Sequence, residues 1–482
     1  MPTYGSTNVG GASIDKGMNI GNVSNLVAKA GNEQIKLTWT DPSDLIIGDQ
    51  KVAEWKGTKV VYKKNSYPVN ENDGVLAVDV QTRNQYSTNA YILSGLDNGD
   101  TYYIKLFPYT KTGLVTNDND NRVSATPVAT RIYGVKRLIS QLETTWERTD
   151  DAIGLVANAT HDGTTATNDF DSLYPWSDII TVDISADGTI NKRMGETGFS
   201  LTNPTGHIMT YFPEFWWKRI QENGYEKVYI ADHEMTGFNY SEAFYIGRYN
   251  ASGSSSAVTT KSGVAPLTGT GMTNLRTYSR NIGTNWGLMD IWRWSMLQIL
   301  YLVEYADYNS QDKLGYGDCN GSEINSGQCD SLGMKSGTTN NNKAHAVIYR
   351  GVENIFGNIY QWLDGINIKS YKSWVCKNRS NYESNRVSSP YVQLGYTEPS
   401  SGGYISTMGY DSNYPEVQRA TACSGSDSTY CPDFFYSYSS THAVSVGGYY
   451  NDGLACGLWF ASYGSATDTY RQFGGRLLFI PA

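Results

Sequence analysis

Tyr349-Arg350-Gly351-Val352-Glu353-Asn354-Ile355-Phe356-Gly357-Asn358-Ile359-Tyr360-Gln361-Trp362-Leu363-Asp364-Gly365, read with Gly474-Gly475-Arg476-Leu477-Leu478-Phe479 at the C-terminus, decides the fold of the larger part of this 482-residue chain. Gly357 has no Cβ and admits close backbone approach. Trp362 is the size of side chain that fills a core slot, and Gly474-Gly475 lets a last strand pair tightly beneath overlying loops. Upstream the chain is aromatic and irregular, with Phe215-Trp216-Trp217, Phe238-Asn239-Tyr240 and Phe244-Tyr245. Residues 286–308 read as a helix that is apolar on most sides and therefore buried. Asp290 near its start suits the helix dipole.

Further outward, residues 129–203 connect this region to what precedes it. Val135, Leu138, Ile139 and Leu142, three and four apart, predict a short helical neck. Before that, Gln34-Ile35-Lys36-Leu37-Thr38-Trp39, Thr58-Lys59-Val60-Val61-Tyr62 and Thr101-Tyr102-Tyr103-Ile104-Lys105-Leu106-Phe107 alternate with period two, separated by turn-forming Asn, Asp and Gly. Such strands are covered on one face, which predicts a β-sandwich over 23–128. Residues 1–22 read as a flexible leader.

Charged residues are 18% of the chain, under the usual ~25%, while Gly (49) and Tyr (37) are abundant. That mixture suits loop-rich β-proteins that present surfaces. The net charge of −9 argues against nucleic acid as the main partner. No secretory signal is seen, and the strongest apolar run, residues 296–303, is far short of a membrane span, so membrane insertion is not expected. All six cysteines follow residue 318. Cys319/Cys329 and Cys423/Cys431 have spacings open to either disulfides or free buried thiols; none has zinc-site spacing.

Two resemblances add to this reading. Trp39, Leu96, Tyr102, Ile104 and Leu106 make residues 23–128 similar to a fibronectin type III module, with Tyr102 in the tyrosine-corner position. The segments around Gly357–Trp362 and Gly474–Arg476 resemble the C-type lectin-like fold, in the branch that includes formylglycine-generating enzymes. Within that branch the chain most resembles variable proteins diversified by retroelements, of which phage tail tropism determinants are one kind. The fold class expected is therefore mixed: an all-β fibronectin type III/Ig-like sandwich followed by an α+β C-type lectin-like domain over 204–482, with a variable region at about 434–476.

Residues 433–473 carry the resemblance furthest. Gly447, Gly448, Gly453, Gly457 and Gly464 suit a fixed backbone, interspersed with Tyr, Ser, Asp, Asn, Thr and His. In that family, diversification mutates adenines in Asn-type codons, which reach neither Lys, Glu, Gln, Met nor Trp. The last Lys, Glu and Met of the chain are Lys377, Glu416 and Met408, and only Trp459 and Gln472 in the stretch fall outside the reachable set. Absence of Lys and Glu also marks any buried glycine-rich β-segment. Tyrosine supplies stiff contact area with a polar tip, and Ser, Gly and Asn supply adaptable hydrogen bonds, the mixture of antibody paratopes. The expected exposed, changeable surface is Tyr436, Tyr438, Thr441, His442, Tyr449, Tyr450, Asn451, Asp452, Ala455, Ser462, Tyr463, Ser465, Asp468, Tyr470 and Arg471. Trp459, Phe460, Leu477 and Phe479 are expected to hold the scaffold.

An enzyme of the formylglycine-generating type needs two reactive cysteines near the last strand. Here Cys456 stands without a near neighbour in sequence, and no catalytic residues are assigned. The run Asn117-Asp118-Asn119-Asp120-Asn121 lacks the ligands and glycine that should follow in a calcium loop and reads as solvated; Glu398-Pro399-Ser400 only partly echoes a sugar-lectin loop. No metal and no cofactor are expected. The resemblance implies a phage receptor-binding protein in the virion tail, synthesised in the bacterial cytoplasm. Its partners would be a host surface protein or polysaccharide and other tail proteins, and it would be a homotrimer. A cell-surface-displayed binding protein and a carbohydrate-binding lectin are the alternatives.

Overall fold

The computed structural model describes residues 17–161 and 165–481, mostly in β-sheet, and the chain divides into two units at residues 130/131. Residues 1–16 of the expected leader lie outside the described residues. Ile20 is no leader residue: it is buried, and its carbonyl accepts from the Thr116 hydroxyl.

In the first unit, Gln34–Thr40 pairs with Ser24–Gly31 and Tyr91–Ser94 in one sheet. Trp55–Lys64 and Tyr102–Thr110 form the centre of a second sheet, flanked by Val75–Val80 and Arg122–Ala125. Ile35, Leu37 and Trp39 on the first sheet share one core with Val60, Ile104 and Leu106 on the second, so the two sheets pack face to face. The alternation along Gln34–Thr40 is complete: every second residue is buried. The Tyr102 hydroxyl accepts the backbone N–H of Asp97 at 2.9 Å. Tyr102→Phe leaves that N–H without its partner and is expected to lower the stability of this unit by about 1 kcal/mol in a urea titration of the full chain. An unchanged midpoint would mean that the hydroxyl adds nothing to the turn.

The second unit carries three large sheets. Ile132–Leu138 lies between Glu147–Asp150 and Tyr225–Ala231 in a five-stranded sheet. The expected helical neck is therefore a strand: Tyr133, Val135 and Arg137 alternate inward, and Arg137 is buried by donating to the Gln141 carbonyl at 2.8 Å and lying over the Tyr430 ring. A six-stranded sheet ends in Phe244–Gly247, Leu477–Phe479 and Trp286–Leu288. The third runs Val392–Gln393, Lys372–Val375, Tyr360–Lys369, His442–Gly447, Gly457–Gly464, Cys431–Phe435, Gly403–Ile405, with Phe473–Gly474 parallel to Tyr360–Lys369.

The helix expected over 286–308 spans Ile291–Tyr305; residues 286–288 form a sheet strand instead. Asp290 caps the helix by accepting the Arg293 N–H at 3.0 Å. Fourteen of its fifteen residues, all but Arg293, and the cap are buried, because sheet strands cover it on several sides. No helix among the described residues is long and apolar enough to cross a membrane.

The C-terminal segment joins two sheets. Phe473–Gly474 belongs to one and Leu477–Phe479 to another, so Gly475 and Arg476 occupy the crossing. A Cβ on Gly475 would lie 2.6 Å from Leu275 Cδ2 and 2.7 Å from Leu288 Cδ1, so any larger residue would have to displace both leucine side chains. Arg476 is fully buried. Its Nε donates to Gln361 Oε1 (2.9 Å), Nη1 to the carbonyls of Gly247 (2.7 Å) and Arg248 (3.1 Å), and Nη2 to those of Glu353 (2.7 Å) and Asn354 (2.9 Å). Gln361 donates in turn to the carbonyls of Asn354 and Ile355. The two sequence segments that mark the fold are thus tied to each other by side chains.

Candidate functional site

The sheet containing Tyr360–Lys369 has two faces. Register pairs Gln361 with Val446 and Val446 with Ala461, while Trp362, Ser445 and Ser462 share the adjacent row. Val444, Val446, Ala461 and Tyr463 point to one face, in the core shared with the helix Ile291–Tyr305. Tyr360, Trp362, Ala443 and Phe460 point to the other, where Trp362 stacks on Phe473 with ring centroids 4.4 Å apart.

Over that second face runs a chain of aromatic rings in contact: Tyr404, Phe434, Tyr436, Phe460, Tyr360, Tyr449 and Tyr450, with successive centroids 4.7–5.9 Å apart. Three connections frame it. Residues 436–441 leave Cys431–Phe435, residues 465–472 leave Gly457–Gly464, and residues 448–456 join His442–Gly447 to Gly457–Gly464. Cys431–Phe435 and Gly457–Gly464 are parallel, so the first two connections emerge at the same end of the sheet and the third at the opposite end. The aromatic chain joins the two ends.

The frame beneath is fixed by close contacts. A Cβ on Gly457 would fall 2.1 Å from Asp433 Oδ1, and one on Gly448 would fall 2.5 Å from Cys456 Sγ. Gly448 also has φ +78°, a conformation that side chains disfavour. Burial raises the pKa of Asp433 well above the ordinary carboxylate value, and its Oδ2 accepts the Trp459 N–H at 2.7 Å. Trp459, Phe460, Leu477 and Phe479 are all buried, as scaffold positions should be.

The residues expected to form the changeable surface divide three ways. Tyr438, Asn451, Tyr470 and Arg471 are exposed, Tyr470 most of the aromatic ones at 62%. Tyr436, Thr441, His442, Tyr449, Tyr450, Asp452, Ala455, Ser465 and Asp468 are half-buried. Tyr436 and Tyr449 rest on the core with one side covered. Asp452 accepts from the Tyr449 N–H (3.2 Å) and the Tyr360 hydroxyl (3.2 Å), and burial moves its pKa up to about 6. Asp468 accepts the Ser465 N–H at 2.9 Å and holds that turn closed.

Ser462 and Tyr463 correct the expectation of exposure: both are buried. Tyr463 belongs to the helix-facing side, where its hydroxyl donates to Glu398 and accepts from Arg419 Nη2 at 2.8 Å. A polar tip with partners on both counts is satisfied inside. Ser462 lies on the opposite face, in the row of Trp362 and Ser445, and is covered there. Glu398 is likewise buried, paired with Arg419, Tyr463 and Ser373, so its carboxylate faces the interior, while Ser400 is exposed. In the 117–121 run read as solvated, Asn121 is buried and its Oδ1 accepts the Val23 N–H at 3.0 Å.

Sequence reasoning missed Tyr360, Tyr404 and Phe434 as members of the aromatic chain. Tyr360 and Tyr404 lie outside the 433–473 stretch, and nothing in their local sequence indicates which strand they will neighbour. The six cysteines are free, and burial raises the thiol pKa at each of them, to about 11 at Cys319 and about 12 at Cys423. Such thiols are poor nucleophiles near neutral pH. Cys456 donates to the Tyr449 carbonyl at 3.4 Å.

No protein-family model matches this sequence, and no curated protein matches it. Among solved structures, one titled "Major Tropism Determinant U1 Variant" aligns over 87% of this chain and 96% of its own, at 11% identity and a TM-score of 0.25.

Proposed function

We propose that this chain is a receptor-binding protein of a phage tail, in which a fibronectin type III-like module precedes a C-type lectin-like domain whose 434–476 segment presents a diversified face. The observation that supports the reading is a division of labour within one stretch. Residues 433–473 place most of their apolar and glycine positions, Phe434 and Gly453–Ala455 apart, in a buried frame, while Tyr438, Tyr450, Asn451, Tyr470 and Arg471 stand on connections that reach solvent. Side chains on such connections can change without disturbing the frame beneath. Recognition is non-covalent, the chain is not an enzyme, and no metal or cofactor takes part. One face of this kind buries less than ~800 Å² per copy. Several copies, as in a trimer, raise weak single contacts by avidity.

The test is adsorption of the purified full chain to cells of the bacterium that carries the gene. Tyr438, Tyr450 and Tyr470 replaced together by Ser should lower cell binding about tenfold or more and leave the melting temperature within ~2 °C of wild type. Equal binding by this variant would remove the reading. A near-copy of the segment encoding 434–476, beside a reverse transcriptase gene and differing only where it has adenines, would support diversification.

A further inference from the structure

Between the helix Met272–Arg280 and the short turn Arg379–Asn381 lies an open cavity of about 420 Å³, within the size range of small-ligand sites. Arg280, Asn285, Trp286, Asp364, Arg379 and Ser380 line it. Its charges do not cancel. Asp364 is taken up by Arg276, which reaches its two oxygens at 2.6 and 2.9 Å. The neighbouring Asp290 is buried and receives Arg293 and the Tyr382 hydroxyl. Arg379 spends Nη1 and Nη2 on one neutral acceptor, the Asn285 carbonyl, both at 3.1 Å; Arg280 donates to the Arg379 carbonyl at 2.9 Å. Among the described residues, neither guanidinium has a carboxylate within 4.0 Å. Burial lowers the pKa of Arg379, and the charge of Asp290 beyond contact distance offsets this only in part.

Room for the Arg379 head is built into the strand Trp286–Leu288: a Cβ on Gly287 would sit 2.9 Å from Arg379 Nη2. Two guanidiniums held at one cavity with no carboxylate in ion-pair contact, and only the more distant charge of Asp290 acting on Arg379, form a local inversion of sign on a chain of net charge −9. Guanidinium donors suit carboxylate and phosphate oxygens, which accept in the same planar fork.

We propose that this cavity binds the carboxylate or phosphate of a sugar-sized ligand, with Arg379 and Arg280 as the anion-holding residues and Asn285 and Ser380 as polar neighbours of the remainder. The oxyanion follows from the cavity alone. The natural source, an acidic host polysaccharide, rests on the receptor-binding reading.

The experiment is calorimetric titration of the full chain with three probes: glucuronate, glucose 6-phosphate and glucose. At least one of the two anionic sugars should bind tenfold or more tightly than glucose, and weaken as NaCl rises from 50 to 500 mM. Glucuronate alone would identify a carboxylate source, and glucose 6-phosphate alone a phosphate source. Arg379→Gln should lower affinity about tenfold. Arg280 is exposed, so Arg280→Gln keeps the fold, and it should lower affinity at least threefold. Equal binding of glucose, no binding of either anion at 10 mM, or unchanged affinity in Arg280→Gln would each overturn the proposal. The Tyr438/Tyr450/Tyr470 variant should titrate like wild type, so loss of cell adsorption and loss of this site are told apart.

Discussion

Arg476→Met is expected to lower the stability of the 131–482 unit by about 4 kcal/mol, seen as a fall of roughly 5 °C in melting temperature. Met matches the aliphatic stem, so the core volume is nearly kept. What goes is the planar head that donates to Gln361 and to the carbonyls of Gly247, Arg248, Glu353 and Asn354. Each acceptor is in a dry interior, where a carbonyl left without any donor costs about 1–3 kcal/mol; the Asn354 and Arg248 carbonyls keep second donors in Gln361 and the Glu353 N–H. Partial relaxation keeps the total below the sum. Arg476→Lys is a sharper probe, because it keeps the positive charge and loses the fork. A point-like ammonium cannot reach acceptors on three segments at once, so it should recover less than half of the loss. If Arg476→Met melts within ~2 °C of wild type, the crossing is held by packing of Leu477 and Leu478 rather than by the guanidinium.

That residue also shows what the sequence does and does not disclose. The glycine pair and the arginine mark a tight last strand, and Gly357 and Trp362 mark a close approach and a core position. That Gln361 of one segment holds Arg476 of the other is a matter of pairing, which no local pattern encodes. Period two was plain in Gln34–Thr40, where polar residues separate Ile35, Leu37 and Trp39. It was hidden in Ile132–Leu138 because the third inward residue is Arg137, whose charge masks the alternation and lets Val135, Leu138 and Ile139 suggest a helix. Trp286–Leu288 was absorbed into the helix for a related reason: a strand buried on both faces has no polar side, so periodicity cannot separate it from a buried helix. At the candidate site, residue type pointed correctly to Tyr438 and Tyr470 as exposed and wrongly to Tyr463. A tyrosine is as content inside as outside once its hydroxyl is partnered, and the partners, Glu398 and Arg419, come from other segments.

Asp318→Asn should stabilise the protein at pH 8 and flatten the dependence of stability on pH. Asp318 is completely buried in the segment that Gly357 packs against, and neither carboxylate oxygen has a hydrogen-bond partner in the protein. Desolvation pushes its pKa from 3.8 up to about 7. A raised carboxyl pKa means that the folded state holds its proton more firmly than the unfolded chain. Stability is then greatest below the unfolded value near 4, declines as pH rises to about 7, and is flat above. Glu353, also raised to about 7, and Asp452, raised to about 6, act with the same sign. His207 acts oppositely: burial lowers its pKa, so it removes stability as pH falls below 6.5. The net slope between pH 6.5 and 7.5 therefore belongs to the carboxyls. At 1.36 kcal/mol per unit the Asp318 shift sets an upper bound of roughly 4 kcal/mol. The amide of Asn is itself buried and polar, so a gain of about 1–2 kcal/mol is expected at pH 8, shrinking towards zero at pH 4. Urea titrations of both proteins at pH 5, 6.5 and 8 measure it. A loss of stability at pH 8 would mean that the Asp318 charge is compensated in solution and that its carboxylate belongs to the fold as an anion.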